Sequence, residues 1–83
     1  MRFSHIQVFM NNLKAIRRTV ANRLRDARLK NGLTQEEVAA LTGKPQWLIS
    51  RIENGTRRVD VAELLEFARI YQKDIDYFIE QEK

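Results

Sequence analysis

Four side chains within one short stretch can make directional contacts from a single side of a helix: Gln46, Trp47, Ser50 and Arg51. Helical spacing gathers them on one arc. A side that carries an amide, an indole, a hydroxyl and a guanidinium cannot be buried without stranding polar groups, so it faces water or a partner. A glutamine amide can pair in two places with the N6/N7 edge of adenine, worth about 1–3 kcal/mol against a wrong base. A guanidinium fork can hold guanine O6/N7 or a phosphate. Ser50, one turn after Gln46, can reach either a base edge or a phosphate. The partner this chemistry points to is the major groove of duplex DNA.

Such a side needs helices to hold it. Leu13, Ile16, Val20, Leu24 and Ala27 recur at steps of three and four, an amphipathic stripe, with Arg17, Arg18, Arg25 and Lys30 lying off it. Asn31-Gly32 closes that segment. Thr34-Gln35-Glu36-Glu37 is a capping box that opens a second helix, with Val38, Ala39 and Leu41 as its buried side and Gly43 at its end. A third helix, residues 45–53, begins around Pro45, whose fixed φ suits a first turn. Leu48, Ile49 and Ile52 are its inner side, and Glu53-Asn54-Gly55 ends it. Thr56-Arg57-Arg58 is a short basic loop. Asp60 with Glu63 caps a fourth helix with an inner stripe of Val61, Leu64, Leu65 and Ala68. A last, shorter helix runs from about Asp74 with Ile75, Phe78 and Ile79 inward.

Residues 1–10 break the pattern. Phe3, His5, Gln7 and Phe9 alternate with Ser4, Ile6 and Val8 and put apolar residues on both sides. A short strand, a frayed helical extension and a disordered leader all fit, and a disordered or partner-dependent element fits better than a core strand. The Asn11-Asn12 break does not choose among them.

The chain has 83 residues and no cysteine, which bounds it to one small domain and excludes disulfides, thiolate metal sites and thiol nucleophiles. His5 is the only histidine, so no metal centre is expected. No apolar run approaches the roughly 20 residues that cross a bilayer, and no secretory signal is evident. A cytoplasmic, nucleoid-associated protein is the expectation. The net charge of +4 is unevenly spread: residues 1–32 carry eight Lys/Arg against Asp26 alone, residues 33–60 balance, and residues 61–83 sum to −3. One basic end and one acidic end suit a molecule that presents one side to a polyanion, although a solvated charged face reads the same way.

Residues 22–79, about 58 of 83, resemble the lambda-repressor-like (Cro-type, XRE) helix-turn-helix family. The resemblance rests on the run Asn31 to Ala39, then Gly43, then Ile49-Ser50-Arg51-Ile52-Glu53-Asn54-Gly55, then Leu64-Leu65 and Ala68. It implies an all-α, five-helix fold for residues 22–83; residues 1–21, which it does not cover, are expected to be a partly helical extension. It further implies operator DNA as the ligand and a homodimer as the working unit. In such a fold the second helix crosses the backbone while the third lies in the major groove. By the resemblance, Gln35 contacts a phosphate at the start of the second helix, where helix N-terminal N–H groups also suit an anion. Gln46, Trp47, Ser50 and Arg51 would face the bases, while Lys44, Asn54, Arg57 and Arg58 would contact the DNA backbone. Each phosphate neutralised adds about 0.9 to the magnitude of the salt slope. Arg28 and Glu53 match a largely buried ion pair, which makes them structural. Trp47 stands where the family usually has a polar residue; it either presses on a thymine methyl or folds back on the second helix as core. Pro45 replaces the usual Ser or Thr cap.

Enzymatic constellations are absent. No Ser–His–Asp set can be built around His5, there is no Gly-rich phosphate loop, and acidic pairs such as Glu36-Glu37 are explained by helix N-termini. No cofactor is implied. Two functions remain: a sequence-specific regulator, in the main a repressor at a palindromic operator, and a protein-interaction module of the same fold, of which an antitoxin subunit is the combined case. Residues 1–21 and the apolar Ile75, Tyr77, Phe78 and Ile79 are where a partner or dimer surface would lie.

Overall fold

The computed structural model describes residues 2–80, with side chains from residue 12 onward. Met1 and residues 81–83 lie outside the described residues. Five helices follow one another: α1 (Arg2–Lys30), α2 (Gln35–Thr42), α3 (Gln46–Glu53), α4 (Val61–Tyr71) and α5 (Ile75–Ile79). Among the described residues there is no strand.

The N-terminal stretch takes one of the forms the sequence left open, a helical extension. Residues 2–10 are helical and continue through Asn11-Asn12 into one helix of 29 residues, crossing the boundary drawn between residues 21 and 22. The reason is local and cooperative. No Gly or Pro interrupts residues 2–30, and a helix already anchored by its C-terminal half extends without a new nucleation cost. At 1.5 Å per residue α1 is about 44 Å long, which accounts for the molecule's longest dimension of 48 Å.

The caps stand as the sequence signals them. The Thr34 hydroxyl accepts from the Glu37 N–H at 3.0 Å while the Thr34 N–H donates to Glu37 Oε1 at 2.9 Å. Asp60 and Glu63 repeat this at the head of α4, at 2.7 and 3.0 Å. Gly43 ends α2 with φ of 70°, a left-handed geometry that an L side chain adopts only with strain. Pro45 is the N-cap of α3 rather than its first helical residue. It is extended, with ψ of 151°, and supplies no side-chain cap. Its carbonyl accepts from the Leu48 and Ile49 N–H groups instead, at 3.0 and 3.4 Å.

The core joins Val20, Leu24 and Ala27 of α1 with Val38, Ile49, Ile52, Leu64, Phe67, Ala68, Tyr71 and Phe78. Four residues expected inward are exposed: Leu41, Val61, Leu65 and Ile79. In α4 the buried arc is rotated toward Phe67 and Tyr71, stacked with centroids 6.1 Å apart. Two aromatic rings bury more area than Val61 and Leu65 would. The helix therefore turns them inward and leaves the aliphatic pair outside. Phe78 is fully buried, and the Tyr77 ring lies between Arg23 of α1 at 5.3 Å and Lys73 at 4.8 Å. Arg23 also donates to the Tyr77 carbonyl, so α5 is docked on α1 by polar as well as apolar contacts.

Candidate nucleic-acid interface

One buried charge cluster sets how α3 is presented. Arg28 donates Nε to Glu53 Oε2 at 2.7 Å and Nη2 to Glu53 Oε1 at 2.9 Å, with both residues buried. Its third donor, Nη1, reaches the Leu33 carbonyl at 3.0 Å. Gln35 Nε2 donates to Glu53 Oε1 at 3.2 Å. The head of α2, the end of α3 and α1 therefore meet at one carboxylate. The hydrogen bond to Glu53 raises the Arg28 pKa against the opposing effect of burial, so the guanidinium stays charged where a lone cation would be costly. The Tyr71 phenol is pushed well above its ordinary range by burial first and by the Glu53 charge second.

On the opposite side of α3, Gln46, Trp47 and Arg51 are exposed and Ser50 is half-buried. Trp47 is 58% exposed, so it does not fold back into the core. The Arg51 guanidinium carbon lies 5.1 Å from the centre of the indole ring. That contact, worth about 0.5–1 kcal/mol at an exposed site, holds the guanidinium against the helix face and restricts where its fork can point. The one-turn spacing of Trp47 and Arg51 was visible in the sequence; the choice of indole over core was not. Past the helix end, the Arg51 carbonyl accepts from the Thr56 and Arg57 N–H groups at 3.0 and 3.2 Å. Asn54 Oδ1 accepts from the Thr56 hydroxyl and N–H at 2.6 and 3.0 Å, leaving the Asn54 amide donors for another acceptor.

The backbone-contact candidates divide. Arg58 is exposed. Arg57 Nη1 lies 2.6 Å from Glu63 Oε1 and also donates to the Arg58 carbonyl at 2.7 Å. Lys44 Nζ lies 3.6 Å from Glu63 and 3.7 Å from Glu66. Glu63 therefore clasps the two segments that flank α3, a role its position in a capping box did not reveal. Gln35 is half-buried and tied to Glu53 rather than wholly presented to solvent.

The Arg57 hydrogen bond, aided by the Asp60 N–H and by the charges of Arg57 and Lys44, holds the Glu63 carboxyl below the ordinary carboxylate range. A depressed folded pKa contributes stability that is present above the unfolded value and lost as pH falls through the folded one. The melting temperature is therefore expected to decline with acidification across and below the ordinary carboxylate range, and Glu63→Gln is expected to flatten that decline. Thermal melts over a pH series check it; an unaltered slope in the variant would count against the clasp.

Two short helices joined by a Gly-ended turn, the second with its polar side outward and its inner side in the core, have the geometry of a helix-turn-helix. The sequence profile of the HTH_3 helix-turn-helix family matches residues 24–78. The chain belongs to this Cro/C1-type (XRE) helix-turn-helix family. Within the motif, α2 is the first helix and α3 the second. The chain is thereby a DNA-binding helix-turn-helix regulator. The profile ends within two residues of each limit of the region singled out in the sequence, and residues 2–23 of α1 lie outside it. No curated protein matches the chain. Among the described residues no helix is long and apolar enough to cross a membrane.

Proposed function

We propose that this helix-turn-helix protein is a sequence-specific transcriptional regulator, acting as a repressor, that binds a palindromic operator as a homodimer. The observation that carries the reading is the outward side of α3: Gln46, Trp47 and Arg51 are exposed, Ser50 is half-buried, and the Arg51 guanidinium is braced on an indole. Gln46 and Arg51 read base edges, Ser50 contacts a base or a phosphate, and Trp47 braces Arg51 while offering its face to a thymine methyl. Gln35, Asn54, Arg57, Arg58 and Lys44 contact the backbone, with Lys44 and Arg57 exchanging Glu63 for phosphate as they bind. The protein works by occupying DNA, without catalysis, in the cytoplasm and on the nucleoid.

Selection from a random duplex pool by the full-length protein tests this. The expected product is a two-fold symmetric sequence whose half-sites are centred about one helical turn, 10–10.5 base pairs, apart. A pool that emerges unenriched, or one enriched in an asymmetric single site, would overturn the palindromic-operator reading.

A second reading is favoured by one feature. A mainly apolar groove of about 360 Å³ runs beside α1, lined by Leu13, Ile16, Val20, Val59 and Leu64 together with Arg17, Arg57 and Arg58. It suits an antitoxin-type subunit that holds a partner protein through residues 1–21 or the last helix and regulates its own operon. Under that reading the same selection still yields an operator, and a second protein co-purifies with the full-length chain.

A further inference from the structure

Four cations of α1 stand apart from the recognition helix. Lys14, Arg17, Arg18 and Arg25 are exposed, and among the described residues none of them has an ion-pair partner. On a helical projection they fall within one arc of about 100°, because 14, 18 and 25 are spaced by four and seven and 17 is one turn from 14. Asp26 projects to a different part of the helix. Like charges three and four apart on a helix repel by a few tenths of a kcal/mol per pair, and here Lys14 faces both Arg17 and Arg18. An isolated protein gains nothing from such an arrangement.

The position of this arc gives it a partner. A notch is lined by these four residues on α1 and by Asn54 and Gly55 at the end of α3. Asn54 lies one turn beyond Ser50 and two beyond Gln46, on the outward side of the recognition helix, and has unused amide donors. Glu53 also borders the notch, and Arg28 engages both of its carboxylate oxygens. The basic arc therefore continues the outward side of α3 without an unpaired acid between them. From Lys14 to Arg25 it covers about 16 Å of helix.

We propose that this side of α1 is a second DNA-contacting surface, which takes the phosphate backbone beside the segment read by α3. The proposal rests on the DNA-binding reading and extends it to a part of α1 that lies largely outside the family match. Phosphates carry no sequence, so this surface adds affinity and salt dependence without adding specificity. An acidic protein partner is the competing occupant, and it would leave DNA binding untouched.

The test is Lys14→Gln/Arg18→Gln/Arg25→Gln in the full-length chain, titrated against a duplex of about 30 base pairs taken from the selection above and against its scrambled counterpart. The slope of log affinity on log salt should shrink in magnitude by about two to three per protomer, or about five for the dimer on both half-sites, at about 0.9 per phosphate lost. Affinity should fall by the same factor for both duplexes, so that their ratio is unchanged. The charge-retaining Lys14→Arg/Arg18→Lys/Arg25→Lys variant should keep the wild-type slope, and circular dichroism should show both variants helical. An unchanged slope in the glutamine variant, with wild-type binding intact, overturns this proposal alone. Failure of the wild-type chain to bind either duplex overturns the reading beneath it.

Discussion

Glu53→Ala is expected to remove about 3–5 kcal/mol of stability, the cost of leaving one member of a buried ion pair without its partner. The substitution strands the guanidinium of Arg28, a residue only 8% exposed, and deprives the Gln35 amide of its acceptor. Only the Leu33 carbonyl would still hold Arg28. Because α1, α2 and α3 meet at this carboxylate, the loss falls on the packing that aims the recognition helix. Urea denaturation followed by circular dichroism measures it. A loss below about 1 kcal/mol, the range of an exposed pair, would mean that the cluster is wetter than its burial indicates. The double replacement Arg28→Met/Glu53→Leu separates charge from shape. Two apolar side chains of similar volume can be as stable as the ion pair, so the double variant is expected to recover most of what the single one loses.

Gln46→Ala/Arg51→Ala is expected to abolish sequence discrimination with the fold intact. Each good bidentate base contact is worth about 1–3 kcal/mol against the wrong base, so the pair together carries about 2–6 kcal/mol, more than an order of magnitude in affinity ratio. Both side chains are exposed and take no part in the core, so the melting temperature should barely move. Competition titrations of the selected duplex against a scrambled one read the ratio directly. A footprint retained at the selected site by the double variant would remove α3 as the reader. Trp47→Ala adds a sharper control. If the indole acts by bracing Arg51, its effect on discrimination should largely vanish in an Arg51→Ala background, since coupled residues are not additive.

The three sites answer to different observables. Changes in the Arg28–Glu53 cluster are expected to move stability, those on the outward side of α3 specificity, and those in the basic arc of α1 salt dependence. That separation lets each assignment fail by itself.

Legibility in the sequence followed the range of the interaction. Both capping boxes and the glycine that ends α2 were readable because each depends on a few consecutive residues. The Arg28–Glu53 pair was readable only through the family resemblance, since 25 residues separate the partners and no local pattern links them. The Glu63 clasp on Lys44 and Arg57 had no sequence signal at all, because three segments meet there only after α4 docks. Val61 and Leu65 satisfied the helical stripe yet lie outside. Periodicity marks a helix side to within about one residue's rotation, and the volumes of Phe67 and Tyr71 chose the orientation.

The sequence by itself determined that the chain is helical, that a helix-turn-helix lies at its centre, and that Gln46, Ser50 and Arg51 share the side away from the core. These follow from backbone capping, helical period and the cost of burying polar groups, all of which act over a few residues. Only the tertiary structure decided that Trp47 braces Arg51 rather than entering the core, and that the cations of α1 join the end of α3 in one notch. Those outcomes depend on which surfaces meet when the helices pack. Contacts between residues far apart in the chain are set by the volumes and charges of the whole core, which no local pattern encodes.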